Sequence, residues 1–360
     1  MSKALILTDG KAGHENQSKA FARALGCEHE LVEVHFKSKF HKALSYLFDH
    51  LGILTTSLLD FKVDEATKTL QLSTLNSQPS TPGVSVVIGT GSGTFYAAKA
   101  MAKKLGAKCG VVLYPRGYRL STFDCILAPA FDRPAKADNV IGIPANLVAN
   151  DEAFYAKGVE SFRVRAGSDR VADSTLKDSN AIAVIIGGPN KCSTMTADWM
   201  KEQLDRIFST AGQQVYDSKN FSTAGRQAHD SKNFSTAKTL DDKNRPRFWV
   251  TTSRRTPPEV EKVVDSYPWN FKLLYSRDHY NPIPAFVKLA KKLYVTAEST
   301  GMLSEACTFG EAEVVALDNL KPGPHKFRRF VDDLRAGGYV DGNRKIDLAS
   351  EFARARKLLA

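Results

Sequence analysis

Two series of short apolar runs, each followed by a stretch of helical spacing, constrain this chain more than any other feature. The first series is Ala4–Leu7, Glu30–Phe36, Val84–Ile88, Gly110–Leu113 and Cys125–Ala128. The second is Ala181–Ile186, Phe248–Thr251, Phe271–Tyr275, Leu293–Ala297 and Val314–Leu317. Most of these runs are too short for helices and too continuously apolar for strands with a wet face, so they read as strands buried in a sheet. Between them lie helical patterns: Ala20, Phe21, Ala24 and Leu25; Thr94 to Leu105; Thr194 to Ile207; and Met302, Leu303, Ala306 and Phe309, ended by Gly310. Strands separated by helices pair in parallel, because a crossover must carry the chain back to the starting edge. The expectation is an α/β protein with two Rossmann-like domains, at 1–165 and 178–340, joined by a polar, charge-alternating segment near 160–180. A basic amphipathic helix follows at 344–360.

A chain of 360 residues exceeds one ordinary core, which agrees with two domains. A net charge of +11 favours anionic partners: nucleotides, nucleic acid or an acidic membrane face. Five cysteines without a Cys-x-x-Cys pair suggest neither a zinc site nor a disulfide framework. They suit a reducing compartment. Met1-Ser-Lys leads directly into the first strand with no signal-peptide pattern. The expected location is cytoplasmic, or peripheral on the inner face of a membrane.

Three segments break the pattern. Lys37 to Leu59 is an apolar, helix-like stretch with a basic lead-in of Lys37, Lys39, His41 and Lys42. It suits a membrane surface, or equally packing against the sheet. Residues 61–82, rich in Thr, Ser and Gln, read as a peripheral excursion. Phe208-Ser-Thr-Ala211 recurs at 221 and 234, a 13-residue tandem duplication that reads as an expanded surface loop.

The strand-to-helix loops are where chemistry is expected, since ligands gather at the carboxyl ends of parallel strands. Asp9-Gly-Lys-Ala-Gly-His-Glu-Asn-Gln17 follows the first strand. Gly10 and Gly13 permit positive φ and a close ligand. His14, with Asp9 or Glu15 as orienting group or substitute, is the candidate base, and Asn16 and Gln17 are candidate substrate contacts. His14 and Asn16 could instead cap the helix. Gly89-Thr-Gly91-Ser-Gly93 marks a ligand or a neighbouring loop close to the backbone. In the second half the candidates for substrate are Gly187, Gly188, Ser193, Ser253, Arg254, Arg255 and Asn281. Glu298, Ser299, Thr300, Gly301, Met302, Ser304 and Glu305 join them, where a strand turns into a helix with free N–H groups and a positive dipole end. Paired arginines there suit a diphosphate. Glu305 can accept two hydrogen bonds from a ribose diol. Neither a P-loop nor a GxGxxG fingerprint is present, and no metal site or cofactor is expected.

The motifs at 9–17, Gly187-Gly-Pro-Asn-Lys191, Thr251-Thr-Ser-Arg-Arg-Thr-Pro257, Asn281-Pro282 and Thr296–Ala306 resemble, in order and over both halves, the Elm family of mitochondrial-fission-type proteins. More distantly the layout resembles GT-B glycosyltransferases, including the lipid-linked N-acetylglucosaminyltransferase of peptidoglycan synthesis. That resemblance implies two domains facing across a cleft, a nucleotide-sugar held by the second domain, and a final helix crossing back to the first. It matches Glu305 to the glutamate that binds the nucleotide ribose, and Gly13-His14 to a Gly-His loop on the acceptor side. The duplicated segment at 208–237 matches no pattern of the family.

Two function classes follow. One is a metal-independent glycosyltransferase that uses a nucleotide-diphosphate sugar and a membrane-associated glycan or lipid acceptor. The absence of an Asp-x-Asp pair agrees with it. The other is a non-catalytic, membrane-recruited interaction protein, which would have no need of His14 or Glu305. Nucleic acid is not an expected partner, because no reader motif accompanies the charge. A nucleotide-sugar epimerase would need a dinucleotide fingerprint and a Tyr-x-x-x-Lys pair, and the fingerprint is missing.

Overall fold

The computed structural model describes residues 3–62, 83–166, 180–220 and 246–360, with side chains in 180–220 described as far as 210. Most of the excursion at 61–82, most of the linker near 160–180 and the second and third repeat copies lie outside these residues. The chain forms two compact units, residues 1–150 with 346–360, and residues 151–345. Each is α/β and built on its own sheet.

The first unit runs β1 (Lys3–Thr8), α1 (Ala12–Ala24), β2 (Glu28–Phe36), α2 (Lys39–His50), β3 (Leu59–Lys62), β4 (Val86–Thr90), α3 (Phe95–Leu105), β5 (Lys108–Val112), β6 (Cys125–Pro129) and β7 (Val140–Ile143). The sheet order is β3-β2-β1-β4-β5-β6-β7. Every pair is parallel except β2 with β3. Alternate residues serve opposite faces. Leu5, Leu7, Val87 and Val111 pack with Phe95, Tyr96 and Met101 of α3, and Ala4, Ile6, Ile88 and Val112 pack with Phe21 of α1. Both faces are therefore covered, which is why these strands are continuous apolar runs.

The segment 37–59 is not one helix. α2 ends at His50, Gly52 takes φ +75°, and the chain then adds β3 antiparallel to β2 at the sheet edge. β3 and β7 lie beyond the strands read from sequence. Each carries exposed positions, Asp60 and Lys62 in one and Gly142 in the other, so neither shows an unbroken apolar run.

The second unit runs α4 (Glu152–Arg165), β8 (Ala181–Ile185), α5 (Ala197–Asn220), β9 (Arg247–Thr251), α6 (Pro258–Asp265), β10 (Phe271–Leu273), α7 (Ile283–Leu289), β11 (Lys292–Thr296), α8 (Thr300–Thr308), β12 (Glu313–Leu317) and α9 (Lys326–Ala336). Its five strands are all parallel, in the order β10-β9-β8-β11-β12. The division falls before α4, not at 165. Phe162 of α4 packs on Trp249, Phe271 and Phe286, with ring centroids 5.1, 4.7 and 5.8 Å away. The first repeat copy is helical: α5 continues through it to Asn220, and Phe208 stacks on Phe248 at 4.2 Å. An anchoring aromatic and a helix already in progress outweigh the polar composition that suggested a loop.

A last helix, α10 (Ala349–Leu359), belongs to the first unit. Its Phe352, Ala355, Leu358 and Leu359 complete the face that α1 begins. Arg354 donates to the Asp138 carbonyl at 2.7 Å, and Arg356 to that of Ala24 at 2.6 Å.

Candidate functional site

Each unit gathers its candidate residues in loops at the carboxyl edge of its sheet. In the first unit the chain leaves β1 at Thr8 and turns through Gly10 at φ +76°. It enters α1 with no side-chain cap, so His14 and Asn16 do not cap it. Instead His14 stands in the first turn with Nδ1 at 3.0 and 3.2 Å from the two oxygens of Asp9. Lys11 also reaches Asp9, at 2.6 Å. Burial would raise the Asp9 carboxyl, but the Lys11 and His14 contacts outweigh it and hold the group below the usual carboxylate range. A carboxylate on Nδ1 places the proton there and leaves Nε2 as the basic nitrogen. Among the described residues, Nε2 makes no hydrogen bond.

The loop after β4 closes over this pair. A side chain at Gly91, itself at φ +85°, would run into the His14 ring, and one at Gly93 would meet Asp9. Gly89 is required for another reason, since a Cβ there would press on Thr94 and Ala98 of the next helix. These glycines thus admit a neighbouring loop. Gly13 is helical and has open space beside it, so positive φ is not its reason. Glu15 is engaged with Lys19 at 2.6 Å, which removes it from the dyad. Asn16 is exposed; Gln17 is buried, donates to the Gly13 carbonyl at 3.3 Å, and its Oε1 has no partner among the described residues.

In the second unit four loops interlock. The Gly187 N–H donates to Thr296 Oγ1 at 2.8 Å, and the Thr256 hydroxyl donates to the Gly187 carbonyl at 2.5 Å. A side chain on Gly187 would strike the Glu298 carboxylate, and one on Gly188 the backbone of Arg255. The Thr194 N–H donates to the Asn319 carbonyl at 2.9 Å, tying the loop after β12 to that after β8. The loops after β8, β9, β11 and β12 therefore form one floor. On its rim stand Arg254 and Arg255, both exposed, with no ion pair among the described residues. Beside them α8 begins at Thr300 with no side-chain cap, and Gly301 leaves open space where a side chain would be. A cavity of about 450 Å³ lies between the loops after β9 and β10, lined in part by Ser253, Arg254, Thr256 and Tyr275.

Below the rim is a buried polar cluster. Glu298 is 2% exposed and Asn319 4%. Glu298 Oε1 accepts from Thr296 at 3.0 Å, but Oε2 and both ends of the Asn319 amide have no aligned partner among the described residues. Burial pushes the Glu298 carboxyl up, against the pull of its own N–H, the nearby Asn319 amide and the Thr296 hydroxyl.

The remaining candidates are engaged locally. Ser193 Oγ accepts from the Asn190 N–H at 2.8 Å, and Ser253 bonds to Thr256 within its loop. Asn281 Oδ1 accepts from Ile283 N–H at 3.2 Å and starts α7, and Ser304 Oγ donates to the Thr300 carbonyl at 2.6 Å. Ser299 is buried in the turn, its N–H donating to the Thr296 carbonyl at 3.1 Å, while Met302 is half-buried. Glu305 is half-buried, and its Oε1 accepts from the buried phenol of Tyr155 at 2.9 Å. Thr256 and Thr296 lie within motifs read from the sequence but were not named as contacts, and Tyr155 and Asn319 were passed over. Of the latter two only Asn319 carried a signal, a polar residue just past the apolar run of β12.

No curated protein sequence matches the chain. Solved structures similar to it include a UDP-GlcNAc 2-epimerase from Neisseria meningitidis bound to UDP-GlcNAc. It is 11% identical with a TM-score of 0.46, over 100% of this chain and 98% of that one. A putative UDP-N-acetylglucosamine 2-epimerase from Listeria monocytogenes is 10% identical with a TM-score of 0.44, over 99% and 87%. A UDP-forming trehalose-phosphate synthase from Burkholderia vietnamiensis is 11% identical with a TM-score of 0.34, over 99% and 94%. Likeness at this level carries none of their chemistry over. A family model decides membership: it matches residues 12–219 and 219–351, and the chain belongs to the mitochondrial fission ELM1 family.

Proposed function

We propose that the second unit binds a nucleoside-diphosphate sugar at the carboxyl edge of its sheet, and that the protein is a glycosyltransferase for a membrane-associated glycan or lipid acceptor. The interlocked loops after β8, β9 and β11 carry this reading: two glycines without room for a side chain, an uncapped helix start and two arginines with no ion pair among the described residues. Exposed N–H groups and guanidinium forks are suited to a diphosphate. The same groups would stabilise the negative charge that grows as the diphosphate leaves.

In this reaction the acceptor hydroxyl oxygen forms a bond to the anomeric carbon while the bond from that carbon to the phosphate oxygen breaks. The electron pair departs on the diphosphate. The hydroxyl proton passes to a base, for which His14 Nε2, with its ring oriented by Asp9, is the candidate.

Isothermal titration with a panel of nucleoside diphosphates tests the binding step. One of them should bind, and Arg254→Ala/Arg255→Ala should weaken it by about tenfold or more. If none binds the intact protein, this reading fails. A second reading, a non-catalytic protein recruited to membranes, is favoured by the bond that already holds Glu305 to Tyr155. Nucleotide binding without turnover on any acceptor would support it.

A further inference from the structure

α2 carries apolar side chains on two sides. Inward, Leu44, Tyr46 and Phe48 pack partly buried on the core, and beside them Ser45 and Asp49 are 0% and 1% exposed. Outward, Phe40 is 71% exposed, Leu47 55% and Leu51, just past its end, 63%. With Ala43, also exposed, these fall at i, i+3, i+7 and i+11, a single helical stripe. Ile53 in the following turn, 43% exposed, extends it. Of the six exposed large hydrophobic side chains among the described residues, four lie in this short segment, so the stripe is not ordinary surface scatter.

The inward face explains why the helix tolerates this arrangement. Lys99 of α3 donates to Asp49 Oδ1 at 2.6 Å and to the Arg119 carbonyl at 2.8 Å, and the Arg119 N–H donates to Asp49 Oδ2 at 2.6 Å. Ser45 and Tyr118 share a hydrogen bond of 2.9 Å, and Tyr46 stacks on Tyr118 at 4.4 Å. Past the end of α2, Tyr96 donates to the Ile53 carbonyl at 3.0 Å. A buried ion pair specifies geometry better than it stabilises, and breaking one partner is costly. α2 is thus held in one rotation by these polar contacts together with Leu44, Tyr46 and Phe48 on the core, with its outer apolar stripe turned outward.

The charge around the stripe has one sign. Between 37 and 59 the only acidic residue is Asp49, which is consumed by Lys99. Lys37, Lys39 and Lys42 stand at one end, and the exposed Arg119, beside the His50 carbonyl, at the other. Among the described residues, no helix is long and apolar enough to cross a membrane. A fixed apolar stripe with cations at both ends instead suits the plane of a bilayer interface, where the side chains enter the acyl boundary and the cations meet anionic headgroups.

We infer that the outward face of α2, with Leu51 and Ile53, docks the protein onto an anionic lipid bilayer. This surface lies wholly within the first unit and does not depend on the nucleotide reading, so either can fail alone.

Co-sedimentation of the full chain with vesicles tests it. The protein should pellet with vesicles of phosphatidylcholine containing phosphatidylglycerol, should pellet less with phosphatidylcholine alone, and should be released by salt. Leu47→Glu/Leu51→Glu should abolish binding, and Lys37→Glu/Lys39→Glu should weaken it by about fivefold or more for each lysine. All four side chains are exposed, so both variants should keep the parent melting temperature. No pelleting with anionic vesicles overturns the inference, as does pelleting unchanged in both variants. A dimer on gel filtration that Leu47→Glu/Leu51→Glu dissociates, without vesicle binding, would assign the face to a second copy.

Discussion

The two units finish the same architectural edge in opposite ways. In the first, the glycines after β4 are filled by the protein itself: His14 occupies the space at Gly91 and Asp9 the space at Gly93, and those two residues bond to each other. In the second, Gly187 and Gly188 let loops interlock into a floor, while among the described residues Arg254 and Arg255 on it have no ion pair and Glu298 Oε2 and the Asn319 amide under it have no well-aligned hydrogen bond. A self-satisfied edge suits a group that must be aimed, whereas an unsatisfied one suits a ligand that has yet to arrive. Parallel strands supply the edge in both units. The residues just beyond the strands decide which kind it becomes.

The largest effect should come from the aimed group. If His14 is the base, His14→Ala should keep the fold and nucleotide binding and lower kcat by roughly 10²–10⁴-fold. Near-normal kcat in a turnover assay would reduce the Asp9–His14 pair to a structural contact and erase the contrast.

A smaller effect separates ligand binding from internal support at Glu305. Glu305→Ala should weaken nucleotide affinity by about tenfold or more if the carboxylate holds a ribose diol. Tyr155→Phe, which keeps the ring on Phe309, should then leave affinity within a few-fold. If Glu305 serves only Tyr155, Glu305→Ala should lower the melting temperature and leave the calorimetric affinity unchanged.

The smallest effects are in pH dependence, and they carry opposite signs. Asp9 is held below its ordinary range, so its contribution to stability is present above its unfolded value and is lost as pH falls through the folded one. Glu298 is raised, so its contribution is fullest below its unfolded value and is lost as pH rises through the folded one. Asp9→Asn should therefore lower the melting temperature at neutral pH, and Glu298→Gln should raise it, each by roughly a few degrees. Melting curves at several pH values check this, and shifts of the same sign would end the comparison.

Much of the architecture was legible because both faces of each sheet are covered, which leaves runs such as Val86–Ile88 and Leu293–Ala297 apolar without alternation. Strands with a wet position, β3 and β7, left no such run. α9 was missed although Phe327, Phe330, Val331 and Leu334 recur at helical spacing. α4 was obscured by its charges, since only Tyr155 and Phe162 of its residues are buried. At the site, loop position was readable from strand ends and glycines, and partnership was not. Nothing near Glu305 in sequence points to a phenol 150 positions away.

The return of α10 to the first unit has a consequence for synthesis. A ribosome must make the whole of the second unit before it makes the helix that covers Val112, Leu127 and Ile141. Until Leu359 reaches its place beside Phe21 over Gly110, the part of that sheet face that α1 does not cover waits with apolar surface bare. The domain begun first is therefore completed last, and its nascent form is the one with most need of a chaperone.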